Sequence, residues 1–371
     1  YPSSAGEGVV AYVFDTGVDA THPDLAGRVS QGFDVIGNNE ANTDCHYHGT
    51  HVAGTIAGTQ FGVAKDASVV PLRVLNCSGS GSYSGVIRAI NWVIATHPAG
   101  TPAVANLSLG GPKSSAVNIA IAAMVEAGIP TFVAAGNSYT DACTASPAST
   151  PEAITVGATD RFDNKAGFSN FGDCVDVFGP GVSIVSANAK NHAAPTSLSG
   201  TSMAAPHLAG IGALILSENP GATASQVEDQ IYRLSIPGAV GNSRTVRGNR
   251  LAQSPTDTTD KIPSLPGAPT GLVSTESGLG TVSFGWNAVA QATSYVVEWR
   301  AESQNSFTRQ SVSETSFTVR GLAGGELAYL RVSAVSNIGP SAFSALASGR
   351  SIAQAPSAPL NLFATPSSPS A

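Results

Sequence analysis

The stretch VVAYVFDTGVDATHPDL, residues 9–25, decides the fold of the longer, N-terminal part of this 371-residue chain. It begins with an uninterrupted apolar run rich in β-branched and aromatic residues, which is typical of a strand buried on both faces. The run ends abruptly at Asp15, and Thr16 and Gly17 follow it. In parallel sheets, ligands and catalytic groups gather at the carboxyl ends of the strands. Asp15 is therefore a candidate functional acid, although an acid in this position is more often a cap or turn residue.

Short and long segments alternate through the whole of residues 1–253. The short β-branched runs include SVVPLRV (68–74), PTFVAAG (130–136) and AITVGA (153–158), and helical periodicity covers residues 83–97, 114–127 and 202–217. Strands that alternate with helices of this length imply crossover connections between parallel strands. The pattern predicts an α/β layer fold with a mostly parallel sheet.

Composition excludes several classes of partner. Charged residues make up only 12% of the chain, and the formal net charge is -7, so there is no basic stripe of the kind that binds phosphates. The most apolar region, residues 116–136, is broken by Asn118, Glu126, Gly128 and Pro130, which makes it unsuitable as a membrane span. We expect a soluble protein that binds neither nucleic acid nor a membrane. The chain opens at YPSSAGEG without a basic or apolar leader, so any targeting peptide is absent from this sequence.

The four cysteines, Cys45, Cys77, Cys143 and Cys174, are even in number and form no C-x-x-C pair. Two disulfides in an exported protein would account for them. The alternative is four buried thiols in a cytosolic protein.

The character of the sequence changes after residue 251. The segment LAQSPTDTTDKIPSLPGAP is rich in Pro, Thr, Ser and Asp and predicts a linker over residues 254–265. Beyond it, TVSFGW, SYVVEWRA, SFTVRGL and AYLRVSAVS alternate with period 2, which predicts an all-β sandwich over residues 266–352. APTGL (268–272) returns as APLNL (358–362), so residues 353–371 are either a linker with the start of a second copy or simply Pro-rich linker.

Three segments of the N-terminal part carry candidate chemistry. Asp15 ends the first strand, HGTHVAGT (48–55) begins a helix at His48, and SGTSMAAPHLAGIGALIL (199–216) begins a helix at Ser202. A serine at a helix N-terminus can attack a carbonyl while the adjacent amide stabilises the oxyanion, provided that an imidazole, oriented by a carboxylate, accepts the proton. Each residue alone is more often a cap, but together, in this order, they predict a nucleophilic serine with its base and orienting acid.

A zinc site is the alternative explanation of DCHYHGTHVAGT (44–55), which contains His46, His48 and His51 beside a cysteine. A protein zinc site needs three or four converging ligands, usually with a carboxylate or the spacing H-E-x-x-H, and neither is present. The sequence favours one catalytic histidine, His48, with His51 packed or hydrogen-bonded one turn further along the helix.

FDTGVDATHPDL, HGTHVAGT, LSLGG, AAGN and GTSMAAPHLAG resemble the signature segments of the subtilisin-like serine proteases, in the proteinase K branch, over about residues 3–253. The resemblance implies a three-layer subtilisin-like fold and a secreted endopeptidase acting on polypeptides, expected to be a monomer. It implies that Asp15 orients, that His48 is base and then acid, that Ser202 is the nucleophile, and that the amide of Asn137 completes the oxyanion hole. It also implies a propeptide partner, which this chain lacks together with about two dozen residues of the family's mature N-terminus.

The resemblance also places the substrate cleft, which would bind peptide backbone as an added strand and so give broad specificity. The two edges of the cleft are Gly79, Ser80, Gly81 and Tyr83 on one side and Ser108, Leu109 and Gly110 on the other. Ala134, Ala135 and Gly136 would form one wall of the pocket for the residue before the scissile bond, leaving room for a bulky apolar side chain. At His46 and Tyr47 the chain departs from the family's usual NGHGTH, with an unassigned effect on the cleft.

Two structural features follow from the same resemblance. The pairing of cysteines in the bacterial relatives that include aqualysin implies two disulfides here, Cys45 with Cys77 and Cys143 with Cys174. PASTPEAITVGATD (147–160) and DCVDVFGPG (173–181) resemble the segments that hold a structural calcium, with the carbonyls of Pro151 and Ala153 and the carboxylate of Asp176 as ligands. The alternative is that Asp176 caps a turn and Pro151 ends a loop. A second calcium near Asp34 or Asp44 is left unassigned.

Residues 266–352 resemble a fibronectin type III module through Pro269, Trp286, Tyr295, Leu322 and RVSAVSNIGPS. The rival function is therefore a catalytically inactive scaffold or adhesion protein that binds through this module. The presence of all three candidate catalytic residues argues against that rival.

Overall fold

The structure is a computed structural model that describes residues 2–245, 249–255, 266–304, 306–336 and 340–353. Contacts divide the chain into two compact units, Tyr1–Leu265 and Pro266–Ala371. Most of the predicted linker, 254–265, and residues 354–371, with the predicted second repeat, lie outside the described residues.

The N-terminal unit alternates strands with helices. Its strands are β1 Val10–Asp15, β2 Phe33–Asp34, β3 Ser68–Arg73, β4 Ala103–Leu107, β5 Gly111–Pro112, β6 Thr131–Ala134, β7 Ala145–Ser146, β8 Ile154–Thr159, β9 Val177–Pro180, β10 Ile184–Ser186, β11 Thr196–Leu198, β12 Ile236–Pro237 and β13 Arg250–Leu251. Its α-helices are α1 His48–Ala57, α2 Tyr83–Thr96, α3 Ser115–Glu126, α4 Thr201–Glu218 and α5 Ala224–Leu234. The strands and helices predicted from periodicity are present, with ends shifted by no more than a few residues.

Over the part of the chain that the structure describes, nine strands form one sheet in the order β12-β13-β9-β8-β6-β4-β1-β3-β2. Every neighbouring pair except β12 with β13 is parallel, which confirms the predicted mostly parallel sheet. β1 lies inside the sheet, with Val10 opposite Ser68 of β3 and Ala103 of β4. The acid at its end therefore lies at the carboxyl edge of the sheet, on the third strand from one side.

Helices cover both faces of this sheet. Alternate residues of β1 belong to two different cores, Ala11 and Val13 to one and Tyr12 and Phe14 to the other. The first core also contains the apolar side chains of α1 and α4, and the second contains those of α2 and α3. A strand between two helix layers must be apolar at every position, which explains the unbroken run before Asp15.

Helix α4 is the central helix of the unit and is buried along almost its whole length. Its composition of Ala, Gly and Leu fits close packing on all sides, because a Cβ on Gly212 would lie 2.6 Å from the ring of Phe132 and a Cβ on Gly210 would lie 2.5 Å from Val63. This helix carries Ser202 in its first turn, so the candidate nucleophile stands on a rigidly packed element.

The two disulfides predicted from the family resemblance are present: Cys45 with Cys77 and Cys143 with Cys174, with Cα atoms 5.1 and 5.3 Å apart. Each closes a loop of just over thirty residues, which the chain-entropy model values at roughly 3 to 4 kcal/mol. The first bridge links the segment before α1 to the loop after β3, and so links His46 and Tyr47 to one edge of the predicted cleft.

The C-terminal unit is built from strands. They are β14 Val273–Gly278, β15 Thr281–Gly285, β16 Ser294–Ala301, β17 Thr308–Val312, β18 Ser316–Arg320, β19 Leu327–Val335 and β20 Ala347–Arg350. In the described residues they form two antiparallel sheets, β14-β15-β18 and β17-β16-β19-β20. One core joins them, with Phe284 and Val319 from the first sheet and Val297 and Leu330 from the second. The region is β-rich, as expected.

None of the described helices is long and apolar enough to cross a membrane.

Candidate active site

The three candidate catalytic residues come from three elements of the N-terminal unit. Asp15 is the last residue of β1, His48 is the first residue of α1, and Ser202 lies in the first turn of α4. Asp15 is completely buried, whereas the side chain of His48 is one fifth exposed, 20%. The carboxylate is thus shielded from water while the imidazole remains open to a ligand.

Asp15 holds the ring of His48 through Nδ1. This nitrogen lies 2.8 Å from Oδ1 and 2.9 Å from Oδ2 of the carboxylate, and the backbone N–H of Thr16 donates to Oδ1 at 2.8 Å. A proton on Nδ1 donates to the carboxylate, so that Nε2 carries the free lone pair of a base.

The electrostatic surroundings favour the imidazolium form of His48. Burial lowers its pKa, but the charge of Asp15, the hydrogen bond that Nδ1 donates to Asp15 and the charge of Asp44 together outweigh burial, so the pKa of His48 is raised above its ordinary value. A proton taken up at Nε2 would be stabilised in place.

Asp44 organises the start of α1, a role that the sequence analysis did not find. Its Oδ1 accepts hydrogen bonds from Thr16 Oγ1 and from the backbone N–H groups of His46 and Tyr47, and its Oδ2 accepts from the N–H and hydroxyl of Thr50. The N–H of Thr50, in the first turn, is one of the donors that a helix N-terminus leaves unpaired, and a negative charge there is favourable. An acid just before a helix start was the available signal.

Ser202 is joined to the cleft through Ser108. The Ser202 hydroxyl donates to the backbone carbonyl of Ser108 at 3.2 Å, and the Ser108 hydroxyl donates to the carbonyl of Ser202 at 2.8 Å. Asn106 Nδ2 in turn donates to the Ser108 hydroxyl at 2.9 Å. The hydroxyl has a single proton, so it must give up its hydrogen bond to the Ser108 carbonyl in order to donate to Nε2 of His48. Such catalytic hydrogen bonds often form only when substrate is bound.

The side-chain amide of Asn137 faces the start of α4. Its Oδ1 accepts from both the backbone N–H and the hydroxyl of Thr201 at 2.9 Å, and its Nδ2 lies 3.4 Å from where a Cβ on Gly200 would be. Thr201 is completely buried and also accepts a hydrogen bond from the N–H of Gly136 at 3.1 Å. With Oδ1 engaged by Thr201, the Nδ2 group is the part of the amide available to a ligand at Ser202. Thr201 was not singled out from the sequence.

Two cavities flank the catalytic residues and contain every predicted cleft residue. One, of about 480 Å³, is lined by Gly79, Ser80, Gly81, Tyr83, Ser108, Leu109 and Gly110 together with His46 and His48. The other, of about 420 Å³, is lined by Ala134, Ala135, Gly136, Asn137 and Ser202, and its described lining includes no charged side chain.

His46 and Tyr47 form an aromatic pair next to the candidate base. Their rings are stacked with centroids 4.4 Å apart, the ring of His46 lies 6.3 Å from that of His48, and Lys190 Nζ lies 4.4 Å above the ring of Tyr47. His46 lines the 480 Å³ cavity. Tyr47 has φ 105°, where L side chains are strained, and this explains why glycine suits the position in NGHGTH.

His51 is a structural residue of α1. It is completely buried, and its Nε2 bonds to the carbonyl of Ile184 at 3.0 Å. Burial lowers its pKa to about 4. Across the described ranges, no three or more His, Cys, Asp or Glu side chains are grouped as the ligands of a metal ion would be.

The predicted calcium ligands lie around the start of β8. Pro151 and Ala153 precede that strand, and Asp176 precedes β9. Oδ2 of Asp176 accepts a hydrogen bond from the N–H of Thr155 at 2.8 Å, and Oδ1 accepts one from the hydroxyl of Tyr232 at 3.3 Å. One carboxylate beside backbone carbonyls is a set of oxygen donors of the kind that a hard cation binds.

The carboxylates near which a second calcium was considered are already engaged. Asp34 accepts from the N–H groups of Ile36, Gly37 and Glu40, and the guanidinium of Arg73 lies 3.3 Å from its Oδ2. Asp44 accepts the hydrogen bonds at the start of α1 described above. Both acids therefore hold backbone segments in place, and a second calcium near them stays unassigned.

Comparison with known proteins identifies the family. The family model described as "Subtilase family" matches residues 6–264. The chain belongs to the subtilase family. It is 47% identical over 253 residues to the "Extracellular serine proteinase" of Thermus sp. (strain Rt41A), a match covering 68% of this chain and 61% of the relative. It is 48% identical over 252 residues to the "Alkaline serine exoprotease A" of Vibrio alginolyticus, a match covering 68% of this chain and 46% of the relative.

A solved structure agrees with these relatives. It is described as a cold adapted subtilisin-like serine proteinase and is 44% identical, with a TM-score of 0.66 over 69% of this chain and 92% of that chain. The N-terminal unit therefore has the subtilisin-like α/β fold. The matches span about half to three fifths of the length of the two curated relatives.

Proposed function

We propose that this subtilase is a secreted serine endopeptidase that cleaves polypeptides through an acyl-enzyme. The observation that carries the proposal is the buried carboxylate of Asp15 bonded to Nδ1 of His48, with Ser202 standing at the N-terminus of the central helix. A carboxylate that fixes the Nδ1–H tautomer leaves Nε2 as the base, which a serine nucleophile requires. The Thermus relative named extracellular supports secretion, as do the two disulfides.

The reaction follows from this arrangement. His48 Nε2 takes the proton of the Ser202 hydroxyl as Oγ forms a bond to the carbonyl carbon of the scissile peptide, and the carbonyl π electrons move onto oxygen. When that oxyanion collapses, the C–N bond breaks and His48 returns the proton to the leaving amine. Water then attacks the acyl-enzyme in the same way and releases Ser202. The carboxylate of Asp15 orients the imidazole and stabilises the imidazolium throughout.

Two donors would stabilise the oxyanion. The backbone N–H of Ser202 lies at the positive end of α4, and Asn137 Nδ2 faces the same place because Thr201 holds Oδ1. Donors that are fixed in place before reaction need no reorganisation as charge develops on the oxygen.

Specificity would rest on backbone recognition and one uncharged pocket. The substrate would lie between the edges at 79–83 and 108–110 as an added strand. The residue before the scissile bond would enter the 420 Å³ cavity, where small walls at Ala134, Ala135 and Gly136 favour bulky apolar side chains. The lack of a charged lining residue among the described ones argues against selection of basic residues.

Structural calcium is part of the proposal. The carbonyls of Pro151 and Ala153 and the carboxylate of Asp176 would hold it, tying the segment before β8 to the segment before β9. An ion that binds only the native state stabilises it by mass action. Thermal inactivation in millimolar calcium and in excess chelator tests this. We expect chelator to shorten the half-life of the parent markedly and that of Asp176→Asn little further, whereas no effect on the parent would remove calcium from the function.

The C-terminal unit is proposed to be a fibronectin type III-like module without a catalytic role. Its two antiparallel sheets over one core are consistent with such a module, and residues 266–371 contain no histidine. If it binds insoluble or fibrous substrates, it would act by raising the local concentration of the peptidase unit.

Replacement of the nucleophile tests the proposal against the inactive-scaffold alternative. Ser202→Ala should lower kcat on a fluorogenic peptide by about 10⁶ with little change in KM, and should abolish labelling by a serine-directed phosphonate. Ser114→Ala is the matched control, because Ser114 is also a serine at a helix start and caps Val117. It should cost about 1 kcal/mol of stability and leave kcat unchanged. A parent that neither labels nor cleaves would favour the scaffold.

A further inference from the structure

The loop that carries Asn137 is held from both sides by one buried amide, that of Asn170, which is only 3% exposed. Asn170 Oδ1 accepts hydrogen bonds from the backbone N–H groups of Ser138 at 3.0 Å and Thr140 at 3.1 Å. Its Nδ2 donates to the backbone carbonyl of Ala135 at 2.8 Å. The amide thus binds the chain before and after Asn137 at the same time.

Only one orientation of the Asn170 amide satisfies these partners. Its oxygen faces two N–H donors and its nitrogen faces a carbonyl, so a rotation by 180° would oppose donor to donor and acceptor to acceptor. Aspartate, which has the same shape, would keep the oxygen contacts but place its second oxygen against the carbonyl of Ala135. Asn170→Asp therefore removes the hydrogen bond to Ala135, on one side of Asn137, without leaving a void.

The backbone between the two anchors has little freedom. Gly136, directly before Asn137, has φ 102°, and a Cβ there would lie 2.4 Å from Asn170 Nδ2. The N–H of Asn170 donates to the carbonyl of Gly136 at 2.9 Å, and the N–H of Gly136 donates to the hydroxyl of Thr201 at 3.1 Å. A shift of the Asn170 amide would therefore be passed to Asn137 through one or two peptide units.

We propose that Asn170 is a positioning residue for the oxyanion site, a role that rests on the proposed peptidase function. It acts through the backbone on both sides of Asn137 and sets the place of the Asn137 amide relative to Ser202. Asn170 also lines the 420 Å³ cavity, beside Asn137. One oxyanion donor is worth roughly 10²–10³ in kcat, and a displacement of about 1 Å loses a large part of such a contribution.

The first test measures kcat and KM separately for Asn170→Asp and Asn170→Ala on a small peptide. Both should lower kcat by roughly ten- to a hundredfold, with KM changed less than about threefold, because the lost interaction exists only in the transition state. Asn42→Asp is the matched control. The amide of Asn42 also bridges a backbone N–H, that of Gly32, and a carbonyl, that of Ser30, and it should lower Tm while leaving kcat unchanged.

A double-mutant cycle with Asn137→Ala decides between positioning and general stability. If Asn170 acts through the Asn137 amide, Asn170→Asp should change kcat less than about twofold once that amide is gone. Losses that simply multiply in the double variant would overturn the inference, and so would single variants with the parent's kcat. A parent that fails to cleave, or a Ser202→Ala variant that still cleaves, would instead refute the proposed function, and this inference with it.

Discussion

Acid should destabilise the N-terminal unit through His51, and replacement of that residue should remove a defined part of the effect. His51 is completely buried against the carbonyl of Ile184, and burial lowers its pKa to about 4. In the unfolded chain the same group titrates near 6.5. Between these two values the unfolded state binds more protons than the folded state, so stability rises with pH in this window.

The expected size of the effect follows from the difference in pKa. The contribution is fully present above pH 6.5 and is lost as the pH falls toward 4. A difference of about 2.5 units at about 1.4 kcal/mol per unit amounts to roughly 3 kcal/mol by pH 4. His22 and His207, whose pKa values burial also lowers, add losses in the same direction.

The assay is urea unfolding at several pH values between 7 and 4, in the Ser202→Ala background so that no self-cleavage occurs. His51→Gln keeps a side-chain N–H that can donate to Ile184 but cannot titrate. Its free energy of unfolding should fall less than the parent's between pH 7 and 4, by roughly 3 kcal/mol, while the contributions of the other histidines remain in both. Parallel curves for the two proteins would refute the reasoning.

The remaining predictions concern the base, the strained residue beside it and the second unit. Asp15→Asn should lower kcat by roughly 10⁴ and move the acidic limb of the pH profile of kcat/KM to lower pH, because Asp15 raises the pKa of His48. An acidic limb that stays at the same pH would contradict this. Tyr47→Gly should leave the free energy of unfolding within about 1 kcal/mol of the parent's, because relief of the backbone strain at φ 105° offsets the lost ring contacts. Tyr47→Ala keeps the strain, so its free energy of unfolding should fall by about 1 to 2 kcal/mol in the same assay. A chain ending at Gln253 retains β13 and should hydrolyse small peptides with the parent's kcat/KM; loss of that activity in a folded protein would place part of the site in the second unit.

Much of the N-terminal fold could be predicted because its elements obey simple periodicities. Strands buried on both faces must be apolar throughout, and helices at a sheet face must be apolar every three or four residues. The strands Ala103–Leu107 and Val177–Pro180 were not identified, since such short apolar runs carry too little pattern. Helix Ala224–Leu234 was also missed, although the capping box formed by Thr223 and Gln226 at its start was a readable signal.

The sequence by itself determined the alternation of strands and helices and the order of Asp15, His48 and Ser202 at their ends. It also indicated the residues that line the cleft, by resemblance to a family. Only the tertiary structure decided the roles of Asp44, Thr201 and Asn170. The physical reason is that a polar side chain acquires its role from its hydrogen-bond partners, and these partners can lie far away along the chain. The amide of Asn170 reaches back more than thirty residues to Ala135, and the hydroxyl of Thr201 reaches back more than sixty to Asn137, because parallel strands bring their carboxyl ends to one edge.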